Sequence, residues 1–325
     1  SLHSPAGPPE IRSPDAQTAV PFAFPHHQMH WRPAIPPRPA PLSDQAPELV
    51  LSAHKTGFVG RLERYEDLAS EHVRPRTVEV WLPPEYDLFP SRRYPVVYLQ
   101  DGQNLFDPYR SYSGVDWGVD ETLHRETRTG GLPAMIAVGI YNSPERIPEY
   151  MPEKPFARRR SLTTKAAFVS RHGGEPRSDA YLRFLVEELK PFVDTRYRTK
   201  PDAEHSAVVG SSMGGLISLY AFTEYPDVFR RAGCLSTSWT VAGPTLQTYL
   251  KRHLPDPAGR RLYFDYGIES RYARYKTLQL EAAAIAEHAG YAPGRTLKVE
   301  HYPGAGHSES AWRARFGDAM RFVWS

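Results

Sequence analysis

Gly210-Ser211-Ser212-Met213-Gly214 sets Ser212 between two glycines in the pattern G-x-S-x-G. A serine hydroxyl is a weak nucleophile until a base takes its proton. Held at a sharp strand-to-helix turn, it stands proud of a sheet at the positive end of the following helix. Only very small neighbours two residues away on each side let the backbone close that tightly. The backbone N–H after the nucleophile, that of Met213, then faces any oxyanion formed by attack on a carbonyl. The same five residues would also suit an ordinary glycine-rich turn, so the reading depends on a strand before them and a helix after them.

A base and an acid must come from further along the chain, because enzymes built on such an elbow carry their triad in the order nucleophile, acid, histidine. His307 lies in Pro303-Gly-Ala-Gly-His-Ser308, where glycines free a loop to bend back over the sheet edge. His301 competes from within a strand, while His288 on a helix and His253 beside a basic residue read as surface positions. The acid comes from Leu262-Tyr-Phe-Asp-Tyr-Gly-Ile-Glu-Ser270, which offers Asp265 inside the strand and Glu269 just past Gly267. The carboxyl ends of strands are where α/β sites are built, which favours Glu269 and keeps Asp265 as a competitor. Either carboxylate could instead pair with Arg271 or Arg274. For the second oxyanion donor, Asp101-Gly102-Gln103 follows an apolar strand; Gly102 permits close approach and turns the Gln103 N–H inward. The alternative there is a plain turn closed by Asp101.

These groups need a scaffold, and the pattern of the chain supplies one. Ala207 to Val209 reads as a buried strand, and Leu216, Leu219 and Tyr220 recur at helical spacing until Pro226. Upstream, Val50 to Ala53, Phe58 to Tyr65, Thr77 to Leu82 and Tyr94 to Gln100 read as strands. Val119 to Glu126 is expected to be a helix, and Ala134 to Tyr141 a fully apolar strand of the parallel kind. Ser178 to Asp194 carries an apolar face of Leu182, Leu185, Val186 and Leu189. Later come strands near Ala232 to Leu235, Leu262 to Tyr266 and Leu297 to Tyr302, and helices near Tyr275 to Ala289 and Glu309 to Phe322. Strands alternating with helices imply a doubly wound, mostly parallel α/β sheet with helices on both faces. Residues 142–177 show no clear period and read as a long irregular insert, of the kind that forms a lid or substrate wall.

The chain divides by composition into an N-terminal arm, 1–47, and one catalytic domain, 48–325. The arm carries twelve of the 32 prolines of this 325-residue chain, which favours extended polyproline conformation. Its His26, His27 and His30 would need a helix to share a metal, and the prolines oppose one. Phe22, Phe24 and Trp31 suggest that part of it packs against something. A net charge of +3 and 24% charged residues give no mandate for nucleic acid. Cys234 is the single cysteine, so neither an intrachain disulfide nor a cysteine zinc site can form. That fits a reducing compartment, slightly favouring the cytoplasm, although many exported bacterial proteins, their leader removed, also lack disulfides. No apolar run approaches the ~20 residues of a membrane span.

Several segments together resemble the esterase D-type branch of the α/β-hydrolases, which includes feruloyl, acetyl-xylan and enterobactin esterases. They are Tyr94-Pro-Val-Val-Tyr-Leu-Gln-Asp-Gly-Gln-Asn-Leu-Phe-Asp107, Gly139-Ile-Tyr-Asn142 with Arg146 and Glu149-Tyr150, Gly210 to Gly215, and Gly306-His-Ser-Glu309 before Trp312. The likeness spans about residues 75–320. It implies an α/β-hydrolase fold and a serine esterase with Ser212, His307 and the Gln103 and Met213 amides in the site. At the acid it is weakest, since Gly267-Ile-Glu269 matches a variable pattern. The expected activity is carboxylic-ester hydrolysis on a small-molecule or carbohydrate-linked ester, with no metal or organic cofactor required. The rivals are an acyltransferase on the same fold and a catalytically idle binding module. Trp239, Tyr150 and the basic run Arg158–Arg160 either line a substrate pocket or serve as packing residues and a solvated charge run.

Overall fold

The computed structural model describes residues 48–50, 58–267 and 275–325. Among them nine strands form one sheet in the order β1-β2-β3-β5-β4-β6-β7-β8-β9. The strands are β1 (Glu48–Val50), β2 (Arg61–Leu68), β3 (Arg76–Leu82), β4 (Val96–Gln100), β5 (Ile136–Ile140), β6 (Ser206–Ser211), β7 (Arg231–Leu235), β8 (Arg261–Tyr266) and β9 (Leu297–His301). From β5 to β9 all neighbours pair parallel, while β1, β2 and β3 add an antiparallel edge. The chain is thus an α/β-hydrolase-type fold.

The period of two along each strand sends alternate side chains to opposite faces. In β4, Val96 and Tyr98 join one core cluster, whereas Val97 and Leu99 join the other. The first face is covered by the elbow helix Met213–Glu224, by Tyr275–His288 and by a run through Ser178–Arg196. The second is covered by Val119–Arg128 and Glu309–Val323, through Leu123, Trp312, Phe316 and Met320. Both faces being buried explains why the central strands read as continuous apolar runs.

Two expectations change. Residues 142–177 are not irregular: they carry the helices Arg146–Tyr150, Glu153–Ala157 and Leu162–His172. The first two are too short to display a 3.6-residue period. The third buries only Phe168, so it has no apolar stripe to read. Its ends are nonetheless signalled, by Ser161 accepting from the Thr164 N–H and by Gly173 at φ 79°. The expected helix over 178–194 is present, but its middle, Phe184–Leu189, opens into π geometry just before Pro191, which has no N–H to donate. The short helix Trp239–Ala242 and the longer Pro244–His253, between β7 and β8, were not anticipated. The strand expected over Val50 to Ala53 lies mostly outside the described residues, as does the arm.

The order of strands decides where a site can form. The connection from β4 runs to β5 on one side, and the chain then crosses back to place β6 on the other. The carboxyl ends of β4 and β6 therefore open a crevice at a topological switch point, the usual ligand position in an open α/β sheet.

Candidate active site

Ser212 occupies φ 57°, ψ −119°, between the end of β6 and the elbow helix. A non-glycine residue is strained there, and the surroundings hold it. Its N–H donates to the Leu235 carbonyl at 2.9 Å. A Cβ on Gly210 would lie 2.6 Å from the backbone of Gly214, and one on Gly214 would lie 3.0 Å from the Gln100 Cβ. The two glycines of the motif thus let the strand and helix touch each other and β4. Ser211, the other serine of the motif, is buried in β6.

His307 arrives from the loop after β9. Its Nε2 lies 2.9 Å from the Ser212 Oγ. Gly304 takes φ 79° in this loop, and the Ala305 N–H closes a turn on Tyr302. Ser308 then caps the helix Glu309–Val323 by accepting from the Ala311 N–H. Trp312, on the first turn of that helix, meets the imidazole edge to face, with ring centroids 4.9 Å apart. The cleft walls take the imidazole partly out of water, and Arg315 and Arg146 repel its charged form, so its pKa lies below the ordinary histidine value. A neutral imidazole at this distance can take the Ser212 proton. His301 stacks instead on Tyr266, and His253 on Tyr249.

Asp265 is fully buried in β8. Its Oδ2 faces the Arg315 Nε at 3.0 Å, and its Oδ1 accepts from the Ser236 N–H at 2.9 Å. Burial pushes its carboxyl up to about 6, against the pull of Arg315. The competing carboxylate, Glu269, lies outside the described residues. The approach to it is visible: a Cβ on Gly267 would fall 2.1 Å from the Ala305 carbonyl oxygen, so the end of β8 rests against the loop that carries His307.

Across the cleft, Asp101 follows β4 in the left-handed conformation, φ 57°, and begins the short 3-10 turn Gly102–Asn104. Arg146 grips its carboxylate with two hydrogen bonds of 2.7 Å, and the Asn142 amide adds a third at 2.6 Å. The Asn142 N–H also donates to the Gln103 side-chain oxygen at 3.3 Å. Gly102 presses against β5, where a Cβ would come within 2.6 Å of the Gly139 backbone. The turn carrying Gln103 is therefore tied down by two residues from beyond β5. Sequence reasoning quoted Asn142 and Arg146 without assigning them this role.

These elements enclose a cleft of about 420 Å³, whose lining includes Asp101, Gln103, Arg146, Ser212, His307 and Trp312. Trp239 and Tyr150 do not line it. Trp239 is 1% exposed, donates its indole N–H to Gln279 and packs on Phe264. Tyr150 is fully buried against Tyr181 and the Arg146 guanidinium. Both are core residues; large aromatics beside site motifs look the same in sequence whichever way they turn. Of the basic run, Arg159 donates to the carbonyls of Val241 and Ala242. Ser238, which carried no signal in the sequence, lies with its Oγ 3.0 Å from the Ser212 Oγ.

A sharp serine elbow facing a histidine at the switch point of a mostly parallel sheet defines a hydrolase of the α/β type. The Esterase family model, described as Putative esterase, matches residues 70–323, and the chain belongs to that family of carboxylic-ester hydrolases. It is 30% identical over 165 residues to the ferri-bacillibactin esterase BesA of Bacillus subtilis, covering 46% of this chain and 50% of that protein. Among solved structures, it resembles an IroE-like serine hydrolase from Shewanella oneidensis, with a TM-score of 0.62 and 22% identity over 81% of this chain and 79% of that one. A ferulic acid esterase superposes with a TM-score of 0.60 at 17% identity, covering 82% of this chain and 98% of that one. No helix among the described residues is long and apolar enough to cross a membrane.

Proposed function

We propose that the chain hydrolyses carboxylic esters through a Ser212–His307–Glu269 triad and an acyl-enzyme intermediate. The observation that carries this reading is the 2.9 Å approach of the His307 Nε2 to the Ser212 Oγ, made at a serine with the strained elbow conformation. Ser212 attacks the ester carbonyl while His307 takes its proton, then returns it to the departing alcohol. The Met213 N–H opens the elbow helix, where it has no intrahelical acceptor. With the Gln103 N–H it receives the oxyanion. Glu269 orients the imidazole: the Gly267–Ala305 contact brings β8 to the His307 loop, and Asp265 is committed to Arg315 and Ser236. Water completes the second half-reaction, with His307 again as base.

The 420 Å³ cleft suits a small-molecule or sugar-linked ester. An ester like the ferri-bacillibactin named for BesA and a ferulic acid ester are the substrate classes its relatives bring to this reading. The test is turnover of a p-nitrophenyl ester by Ser212→Ala and Ser211→Ala. Ser212→Ala should be inactive yet folded, by circular dichroism, and Ser211→Ala should retain turnover. Activity surviving in Ser212→Ala and lost in Ser211→Ala would overturn the assignment. Product analysis with an added alcohol separates hydrolysis from acyl transfer.

A further inference from the structure

Ser212 has a second polar neighbour that the triad does not use. The Ser238 Oγ lies 3.0 Å from the Ser212 Oγ, while the Ser238 N–H donates to the Ser212 carbonyl at 3.0 Å. Ser238 belongs to the turn after β7, and that turn is built with unusual effort. Ser236 takes φ 43°, a conformation costly for a residue with a Cβ. The buried Asp265 accepts the Ser236 N–H on its Oδ1 at 2.9 Å, and Arg315 donates to the Ser236 Oγ at 2.5 Å. Thr237 seats its Oγ1 where a Cβ on Gly215 would come to 3.0 Å, which packs the turn onto the elbow helix. A strained turn, braced by a buried ion pair, thus delivers one hydroxyl to the nucleophile.

We infer that Ser238 is a catalytic residue: it donates a hydrogen bond to the Ser212 Oγ and stabilises that oxygen as its proton leaves. The inference rests on Ser212 being the nucleophile. In the resting site the Ser212 O–H donates to the His307 Nε2, so the Ser238 O–H is left to donate to the Ser212 Oγ. On attack, the Oγ proton passes to Nε2, the Oγ–carbon bond forms and the carbonyl π pair moves to the carbonyl oxygen. Partial negative charge on Oγ early in that step makes the Ser238 bond charge-assisted and so stronger than in the ground state. When the tetrahedral species collapses, the bond to the leaving alkoxide breaks and His307 returns the proton to it. In deacylation Ser212 is itself the leaving group, and Ser238 meets the returning charge again. Asp265 and Arg315 act through the turn and are positioning residues.

The experiment uses the full chain and reads kcat and KM on p-nitrophenyl acetate, together with the rate of inactivation by a p-nitrophenyl phosphonate. Inactivation isolates attack by Oγ from later steps. Ser238→Ala should lower kcat and the phosphonylation rate about tenfold each, the worth of one hydrogen bond strengthened by charge, with KM within about twofold. Ser238→Thr, which keeps the hydroxyl, should restore most of both rates; Ser238→Cys, a weak donor, should not. If circular dichroism finds Ser238→Ala misfolded, the contrast between Thr and Cys decides. Rates within about twofold of wild type for Ser238→Ala and Ser238→Cys would overturn the inference, provided Ser212→Ala is inert to both reagents. If Ser212→Ala still turns over, the nucleophile assignment falls first and Ser238 with it.

Discussion

Asp265 and Glu269 stand four positions apart, but the end of β8 gives them different prospects. Asp265 is enclosed by Arg315, Ser236 and Tyr263; Glu269 follows the glycine that touches the His307 loop. Glu269→Gln should therefore lower kcat at least ~100-fold with little change in KM, because a triad acid fixes the tautomer and stabilises the imidazolium formed in the transition state. Asp265→Asn should mainly cost stability, on the order of 3 kcal/mol, since it leaves the Arg315 guanidinium buried without its partner charge, and lower kcat by no more than the roughly tenfold expected from disturbing the Ser238 turn. Steady-state kinetics and thermal melting of both variants separate the roles; a dead, fully stable Asp265→Asn would reverse them. His307 adds a pH signature. Its pKa is lowered by partial removal from water and by Arg315 and Arg146, and in the proposed mechanism the working base is the neutral form. The acid limb of kcat/KM should consequently lie below the ordinary imidazole value of about 6.5. Arg146→Gln removes one of the two repelling charges, so that limb should move to higher pH. The same change loosens the turn carrying Gln103, so kcat should also fall. Measured pH–rate profiles of both proteins check the direction.

At the scale of elements, the site depends on how closely β4, β6 and the elbow helix approach each other. Gly210 is where that approach is tightest, with the Gly214 backbone 2.6 Å from where a Cβ would sit. Backbone cannot swing aside as a flexible side chain can, so Gly210→Ala should push the helix away from β6. A cost of about 1–3 kcal/mol is expected, seen as a lower Tm, together with a fall in kcat because Ser212 moves relative to His307. A variant of unchanged Tm and rate would mean that the elbow tolerates a wider turn. The same elements show what pattern reading captures. The elbow helix Met213–Glu224 was legible because Leu216, Leu219 and Tyr220 recur at helical spacing, and Val119–Arg128 through Val119 and Leu123, four positions apart on one face. The helices within 142–177 were not, because two are a single turn long and the third packs through Phe168 alone.

For the molecule as a whole, the domain from β2 onward has its own two-sided core, with Val97, Leu99 and Phe316 on one face and Tyr98, Leu216 and Leu278 on the other. Both clusters are drawn from described residues of the domain, and the composition changes sharply between the proline-rich residues 1–45 and the patterned chain that follows. Deleting residues 1–45 retains β1 and should shift Tm by no more than a few degrees, with turnover preserved. A large fall in Tm or loss of soluble protein would mean that Phe22, Phe24 and Trp31 belong to the core. The amino-acid sequence alone determined the parallel α/β scaffold, the strand-to-helix turn at Ser212 and the glycine-bearing loop of His307, because each is written in local signals: periodicity, a pair of glycines, a loop after a strand. What only the tertiary structure decided concerns side chains brought together from distant segments. Trp239 and Tyr150 turned into the core, since an aromatic side chain has no local signal for its direction. Asp265 was claimed by Arg315, fifty positions on, and Asn142 with Arg146 fastened the turn after β4. Ser238 reached Ser212 across the gap between β6 and β7, a juxtaposition set by the order of strands in the sheet and by no spacing along the chain.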